Sequence, residues 1–447
     1  MKITALLTAV FACMAVVVPA QLKVAPLELK ERTLANGMRI VSHRDTSSPT
    51  VAIHVWYDVG GKNDPTGRSG FAHMFEHMMF KATKNMPNEK FDRLTEDVGG
   101  FNNASTWPDF TNYYEVVPSN HLQRLLWAEA DRMVNLNVDD ANFASEREVV
   151  KEEYRQGILA PPYGKLFWLL DDLTFQKHPY KRGVIGNLEE LSAATREDAE
   201  QFYRTFYRPD NAVLIVAGDF DQAQFDKWVD QYFGSIKRSE GAIPRVTVVE
   251  PEWTAERRYT EFGPRVPFPA AAVVYRAPRT TSPDIPAIRV AALILSGGES
   301  SRLYNSLVRE QEIAQQADLD LELNTEGGRI SFVGIGSQKG TSENLEKAWL
   351  AELKKIQDSG VTAKELEKAK NQLVSRAVRA RENNDGKAIA IERAVAYLGD
   401  PKAVNQEVSK IQAVTAADVQ RVMKLYFKDN NRVVIHYNQA KETEVTK

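Results

Sequence analysis

The sequence predicts an α+β protein built from one unit used twice. Three observations carry that prediction. The segment TREDAEQFYRTFYRPDNAVLIVAGDF from Thr195 matches TAADVQRVMKLYFKDNNRVVIHYNQA from Thr415 without a gap, at a constant offset of 220 residues. Strand-like and helix-like patterns are mixed within each half rather than segregated along the chain. Finally, 447 residues with 43% hydrophobic and 26% charged side chains have globular proportions, which excludes a disordered chain or a fibrous repeat.

The elements follow in order. Met1-Lys2 precedes an apolar run from Ala5 to Ala20 that ends in Val18-Pro19-Ala20. A positive start, an apolar core and a small-residue end describe a secretory signal peptide over 1–20, and so a periplasmic or secreted mature chain. The run is 16 residues long, short of the ~20 that a membrane-spanning helix needs. Cys13 is the only cysteine and would leave with this segment. Any metal in the mature chain must then be held by His, Asp or Glu, and no disulfide is available.

Leu34–Val41 reads as a strand with an Asn36-Gly37 hairpin signal, and Thr50–Tyr57 as an apolar strand. Helical patterns cover Phe71–Phe80, His121–Val134 and Ala141–Gln156. After a Gly99-Gly100 turn, Asn103-Ala104-Ser105-Thr106 running into Asp109–Val117 reads as a polar-rimmed edge strand. Each repeat copy begins with a capped helix, at Thr195 and at Thr415, passes an Asp/Asn turn at Asn211 or Asn431, and ends in a β-branched strand. Between the copies, Ser239, Glu240, Gly241, Pro244 and Pro251 interrupt periodic structure. The expected division is a 21–238 N-terminal domain, a 239–252 linker and a 253–447 C-terminal domain. In the last, Ala270–Tyr275 is the counterpart of the Thr50 strand, with helices at Pro286–Leu295 and Ala363–Arg381.

Charge says little about partners. Lys plus Arg number 57 against 60 Asp plus Glu, a net of −3, without the basic excess or stripe of a nucleic-acid binder. No later segment reaches transmembrane length, so no membrane association is expected once the signal is removed.

The chemistry concentrates in Gly70-Phe-Ala-His73-Met-Phe-Glu76-His77-Met-Met-Phe80. On a helix His73 and His77 share a face, with Glu76 beside them. Their neighbours are Phe, Met and Ala, and three titratable groups on a buried helix are costly without partners. A divalent metal between the imidazoles removes that cost, and His-x-x-Glu-His is the inverted zincin order. A catalytic zinc needs a third protein ligand and an open position. In the helix that follows, Phe143, Glu146, Val150, Glu153 and Gly157 form one stripe, while Glu148, Lys151, Glu152 and Arg155 fall elsewhere. Glu146 and Glu153 both point toward the core, and the stripe does not choose between them.

HMFEH at 73–77, followed 76 residues after His77 by Glu153 within EREVVKEEY, resembles the pitrilysin/insulinase family of zinc metallopeptidases. GGFNNASTWPDFTNYY, EADRM, HPY, YRPDNAVLIVAGD and GGESSRLYNSLVRE extend the resemblance through most of the mature chain. It is closest to the short two-domain branch that includes β-type subunits of the mitochondrial processing peptidase. The resemblance implies two homologous α/β-roll domains, each a mostly antiparallel sheet covered by helices. It implies one Zn2+ per chain on His73, His77 and Glu153, with Glu76 as catalytic base and Glu146 as a supporting carboxylate. It makes the Asn103, Ala104 and Ser105 strand the edge that takes peptide substrates by β-augmentation. The C-terminal helix Pro286–Leu295 contains neither His nor Glu, so no second metal site is expected.

The family's second domain contributes an Arg and, seven residues later, a Tyr that steady the developing oxyanion. Here Arg309 is present and Gln316 stands where the Tyr belongs. The expectation is a zinc-bearing chain whose homologous partner supplies the Arg/Tyr pair in a heterodimer, or else a homodimer. The alternative is a non-catalytic partner subunit of the same fold.

Overall fold

A computed structural model describes residues 24–440. The segment 1–20 read above as a signal peptide, with Cys13, lies outside the described residues. No helix among the described residues is long and apolar enough to cross a membrane.

Eleven strands form two sheets. The first contains β1 (Lys30–Thr33), β2 (Arg39–Arg44), β3 (Thr50–Tyr57), β4 (Phe101–Thr106), β5 (Thr111–Pro118) and β6 (Ala212–Gly218), in the order β1-β2-β6-β3-β5-β4. The second contains β7 (Arg257–Gly263), β8 (Ala270–Ala277), β9 (Ala314–Glu322), β10 (Gly328–Gly336) and β11 (Arg432–Gln439), in the order β7-β11-β8-β10-β9. Each sheet has one parallel pair, β2 with β6 and β7 with β11, and is otherwise antiparallel. From β2 onward the two orders superimpose, so the repeat found in the sequence is one topology drawn twice. The class is α+β.

The match extends to single hydrogen bonds. Thr195 and Thr415 each close a capping box with the Asp three residues on. Asn211 and Asn431 each donate a side-chain N–H to the carbonyl five residues earlier, on Phe206 at 2.9 Å and on Tyr426 at 2.8 Å. The strands that follow, β6 and β11, run through the middle of their sheets, which is why their apolar runs are unbroken or nearly so.

Several elements differ from the sequence expectation, among them the single strand read over 103–117, which is a hairpin of β4 and β5 turning at 107–110. The Leu34–Val41 strand is replaced by a turn over 34–38 between β1 and β2, with Gly37 at φ +95°. An Asn-Gly pair marks the loop of a hairpin, so the strand begins after it. The Ala141–Gln156 helix is regular over Asp140–Tyr154 and then widens into a π-turn at Arg155–Leu159.

On one face, each sheet packs against helices of its own half. The Phe71–Met78, Leu122–Asn135 and Arg196–Phe206 helices enclose the core of the first sheet, and the Ile285–Ser296, Ser342–Ser359 and Ala416–Tyr426 helices that of the second. The other faces are covered by exchange. Ala388, Ile391, Ala394 and Val395 of the Asn384–Leu398 helix lie on Val41, Ala52, Val213 and Ile215 of the first sheet. Leu166, Leu169 and Leu170 of the Gly164–Thr174 helix lie on Ala272, Val274, Val433 and Ile435 of the second. Neither sheet is complete without a helix from the other half.

Candidate metal centre

The helix that carries the motif begins at Gly70, whose φ of +82° sits in the left-handed region. A Cβ there would stand 2.4 Å from the carbonyl oxygen of Ile185, so only glycine fits. The first-turn donors are met from outside the helix. Gly70 N–H donates to Asp64 Oδ2 at 2.7 Å and Ala72 N–H to Asp64 Oδ1 at 2.8 Å. Burial pushes the Asp64 carboxyl up to about 7, against the pull of these donors and of Arg182. Phe71, Ala72, Met74, Phe75 and Met78 are buried. That leaves one polar stripe, His73, Glu76 and His77, facing the Asp140–Tyr154 helix and the end of β4.

The stripe meets its complement there. Glu153 Oε2 lies 3.6 Å from His73 Nε2 and 3.6 Å from His77 Nε2, and donor atoms of the three residues all fall within 4.8 Å of one another. In a tetrahedral zinc site with bonds of about 2.0–2.2 Å, neighbouring donors stand roughly 3.3–3.6 Å apart. The His73 and His77 rings are nearly perpendicular, at 87°, so their nitrogens converge while the rings stay apart. Burial, then the neighbouring His77, push the His73 imidazole down to about 4. It is therefore neutral at pH 7, as a ligand must be. Two imidazoles and one carboxylate at this spacing fit a zinc ion.

Glu146 occupies a different role from Glu153. Its Oε2 lies 3.5 Å from His77 Nδ1, and its Oε1 accepts from Lys81 Nζ at 2.8 Å. It is buried behind the histidine and orients the ring that Glu153 faces from the front. Burial opposes ionisation, yet His77 and Lys81 hold the Glu146 carboxyl below its usual range. The same group, with Glu153 and Glu76, raises the His77 imidazole despite burial. Three carboxylates around two histidines make a strongly anionic setting for a cation. Phe143 and Val150 on the same stripe are buried as the helical face requires.

Glu76 turns away from the three-donor cluster, toward β4. Its Oε2 accepts from Thr106 Oγ at 2.6 Å, and the Thr106 peptide N–H also reaches it. Burial raises its carboxyl, with Thr106 and His77 acting against. Sequence reasoning missed Thr106 as a partner of the motif. The only signal was its place at the end of the polar strand Asn103–Thr106.

β4 pairs with β5 alone and is the edge of its sheet. Trp107 N–H donates to the Phe110 carbonyl, which sets the alternation along the hairpin. The peptide groups of Asn103 and Ser105 turn to β5, and those of Asn102, Ala104 and Thr106 turn outward. Of the three expected substrate residues, Ala104 alone offers its N–H to the free edge. That N–H is taken by Asn103 Oδ1 at 2.8 Å. Arg309 and Gln316 lie in the second half. Arg309 pairs with Glu299 at 3.0 Å and sits over the Tyr304 ring, and Gln316 donates to Asp318 at 2.6 Å on the edge strand β9.

A duplicated α+β fold whose first unit gathers two histidines, a glutamate and an adjacent carboxylate on facing helices presents a candidate metal centre of the kind metallopeptidases carry. Comparison with known proteins agrees. Residues 39–187 match the family model "Insulinase (Peptidase family M16)" and residues 193–373 match "Peptidase M16 inactive domain". The chain is similar to a zinc protease, PqqE, of Helicobacter pylori, at 30% identity over 90% of this chain and 91% of the relative. It is similar to a probable mitochondrial-processing peptidase subunit beta of Arabidopsis thaliana, at 24% identity over 90% and 77%. A crystal structure of a protease from Helicobacter pylori superimposes with a TM-score of 0.89 at 28% identity, covering 92% of this chain and 99% of that one. The protein belongs to the insulinase, or M16, peptidase family, in its two-domain form.

Proposed function

We propose that this chain is a zinc-dependent endopeptidase of peptides and unfolded polypeptides, exported by its 1–20 segment, and the zinc-bearing subunit of a two-subunit enzyme. The observation that carries the reading is the convergence of His73, His77 and Glu153 within 4.8 Å, with Glu76 held beside them at the free edge of β4. The zinc-binding unit is 21–238 and its homologue without a metal site is 253–447. Zinc bound by His73, His77 and Glu153 supplies Lewis acidity, which acidifies water and polarises a carbonyl oxygen. Glu76 accepts the proton of the attacking water and returns it to the leaving amine. Its raised carboxyl suits it to hold that proton between the two transfers. Glu146 keeps the His77 ring turned toward the site. The β4 edge aligns an extended substrate through main-chain hydrogen bonds, which read shape more than sequence.

The subunit role rests on Gln316, which by the family resemblance stands where an oxyanion-donating Tyr is expected. Losing one such donor costs roughly 10²–10³ in rate. The isolated chain is therefore a weak peptidase that a homologous partner raises in activity. The test is metal analysis of the purified chain together with cleavage of a quenched peptide, with and without chelator and with Gln316→Tyr. Zinc and chelator-sensitive cleavage support the reading. Zinc-free, inert protein would favour the non-catalytic subunit instead. Full activity of the chain alone, unchanged by Gln316→Tyr, would remove the partner.

A further inference from the structure

We infer that Thr106 is a positioning residue for Glu76, binding the base to the strand that receives the substrate and thereby fixing where along that strand a peptide is cut. The inference rests on the peptidase reading above. Its observations are independent of any metal.

Thr106 is the last residue of β4, and the outward-facing peptide groups of this strand belong to Asn102, Ala104 and Thr106. A peptide joining the edge can use the first, and the second once it displaces Asn103 Oδ1 from the Ala104 N–H. The third is closed to it, because the Thr106 hydroxyl donates to Glu76 at 2.6 Å and places the carboxylate against that end of the edge. The free edge therefore ends at the base, and an added strand that pairs with Ala104 must carry its next peptide bond alongside Glu76.

The surroundings give the Thr106 hydroxyl one direction. The other hydroxyl nearby, Thr111 Oγ, is 3.5 Å away, at the limit of a hydrogen bond and far longer than the 2.6 Å contact to Glu76, and it donates to the Val59 carbonyl at 2.8 Å. Thr111 is fully buried and opposes Thr106 across the hairpin, so the pair is held from behind by packed backbone. Glu76 is thus attached through the Thr106 hydroxyl to a rigid hairpin while its own helix presents it from the other side. A displacement of the base relative to the bound peptide requires breaking that contact. Misplacement of a reacting group by about 1 Å costs on the order of 10²-fold in rate.

The experiment uses the full zinc-loaded chain with Thr106→Val and Thr106→Ser and a quenched peptide. Thr106→Val keeps the shape and removes the hydroxyl donor. We expect kcat to fall about 10²-fold with KM and zinc content unchanged, and Thr106→Ser to recover most of the loss. Thr106→Val with wild-type kcat, or Thr106→Ser no better than Thr106→Val, overturns the inference. A second measurement needs no turnover: amide hydrogen exchange at Thr106 in the metal-free chain, wild type against Glu76→Ala. Exchange faster by roughly tenfold or more in Glu76→Ala upholds the anchoring, and equal rates overturn it. Absence of chelator-sensitive cleavage in the wild type would instead sink the peptidase reading, leaving the exchange result to decide the Thr106–Glu76 link by itself.

Discussion

His54 Nδ1 lies 2.6 Å from Glu392 Oε2, joining the middle of β3 in the first half to the exchanged helix of the second. The imidazole is fully buried, with Asp385 Oδ1 at 3.4 Å from its other nitrogen and Tyr114 stacked on the ring. Asn112 donates to the same Glu392 oxygen, and Asn384 of the helix donates to the Thr50 carbonyl at the start of β3. The exchanged helix is held by its apolar face and by this charged clasp together.

The clasp has a pH dependence of definite sign. Burial works against the charged imidazole, but Asp385 and Glu392 overcome it and raise His54 from 6.5 to about 9. A histidine whose folded pKa lies above its unfolded value contributes stability that is complete below the unfolded pKa and is lost as pH rises through the folded one. The chain should lose on the order of 3 kcal/mol of stability between pH 6.5 and 9 from this group. Urea unfolding midpoints across that window check it. His54→Gln should flatten the slope, and parallel profiles for the two proteins would remove His54 as its source.

Glu76→Gln keeps the shape of the base and removes its capacity to take a proton. Zinc content should stay at the wild-type level, since the donors are His73, His77 and Glu153. Peptide cleavage should fall by about 10²–10⁴-fold. Metal analysis and kinetics on the same sample separate a base from a structural residue, because loss of both together would make Glu76 structural.

The β4 edge predicts two substitutions of opposite effect. Asn103→Ala frees the Ala104 N–H that its side chain now occupies at 2.8 Å, and should lower KM. Ala104→Pro deletes that N–H and should raise KM, with the melting temperature measured alongside to confirm the fold. Movement of both KM values in the same direction, or of neither, would take this strand out of substrate binding.

Glu146 supports His77 without being one of the three converging donors. Glu146→Ala should weaken zinc binding by about 10–100-fold, read by competition with a chelator. Glu148→Ala, on the exposed side of the same helix, is the control and should leave affinity unchanged.

Much of the architecture was legible in the residues. The 220-residue repeat, the two capping threonines and the Asn turns predicted a duplicated α+β fold, and the two sheets share one strand order. These features are local: a cap, a turn and a strand period are written within a few residues of one another. The His73–His77 helix was legible for the same reason, since the two histidines are one turn apart. Of the stripe Phe143, Glu146, Val150, Glu153 and Gly157, the first three are buried, Glu153 is half-exposed at the rim of the site and Gly157 is exposed in the turn that follows; a period states which way a side chain points and not what it meets. Two glutamates seven residues apart on one face take different roles, one behind His77 and one between the two imidazoles.

By itself, then, the sequence determined the repeat, the element types and the residues able to hold a metal. Only the tertiary structure decided that each sheet borrows a helix from the other half, that Asp64 caps the Phe71–Met78 helix, that Thr106 holds Glu76, and that His54 finds Glu392 across 338 residues of chain. In sequence His54 reads as one residue of an apolar strand, and Glu392 as one charge on a helix. The physical reason is common to all four. Burying a charge or an apolar face demands a partner, but which partner answers is fixed by where chain segments distant in sequence are brought to lie once both cores have closed.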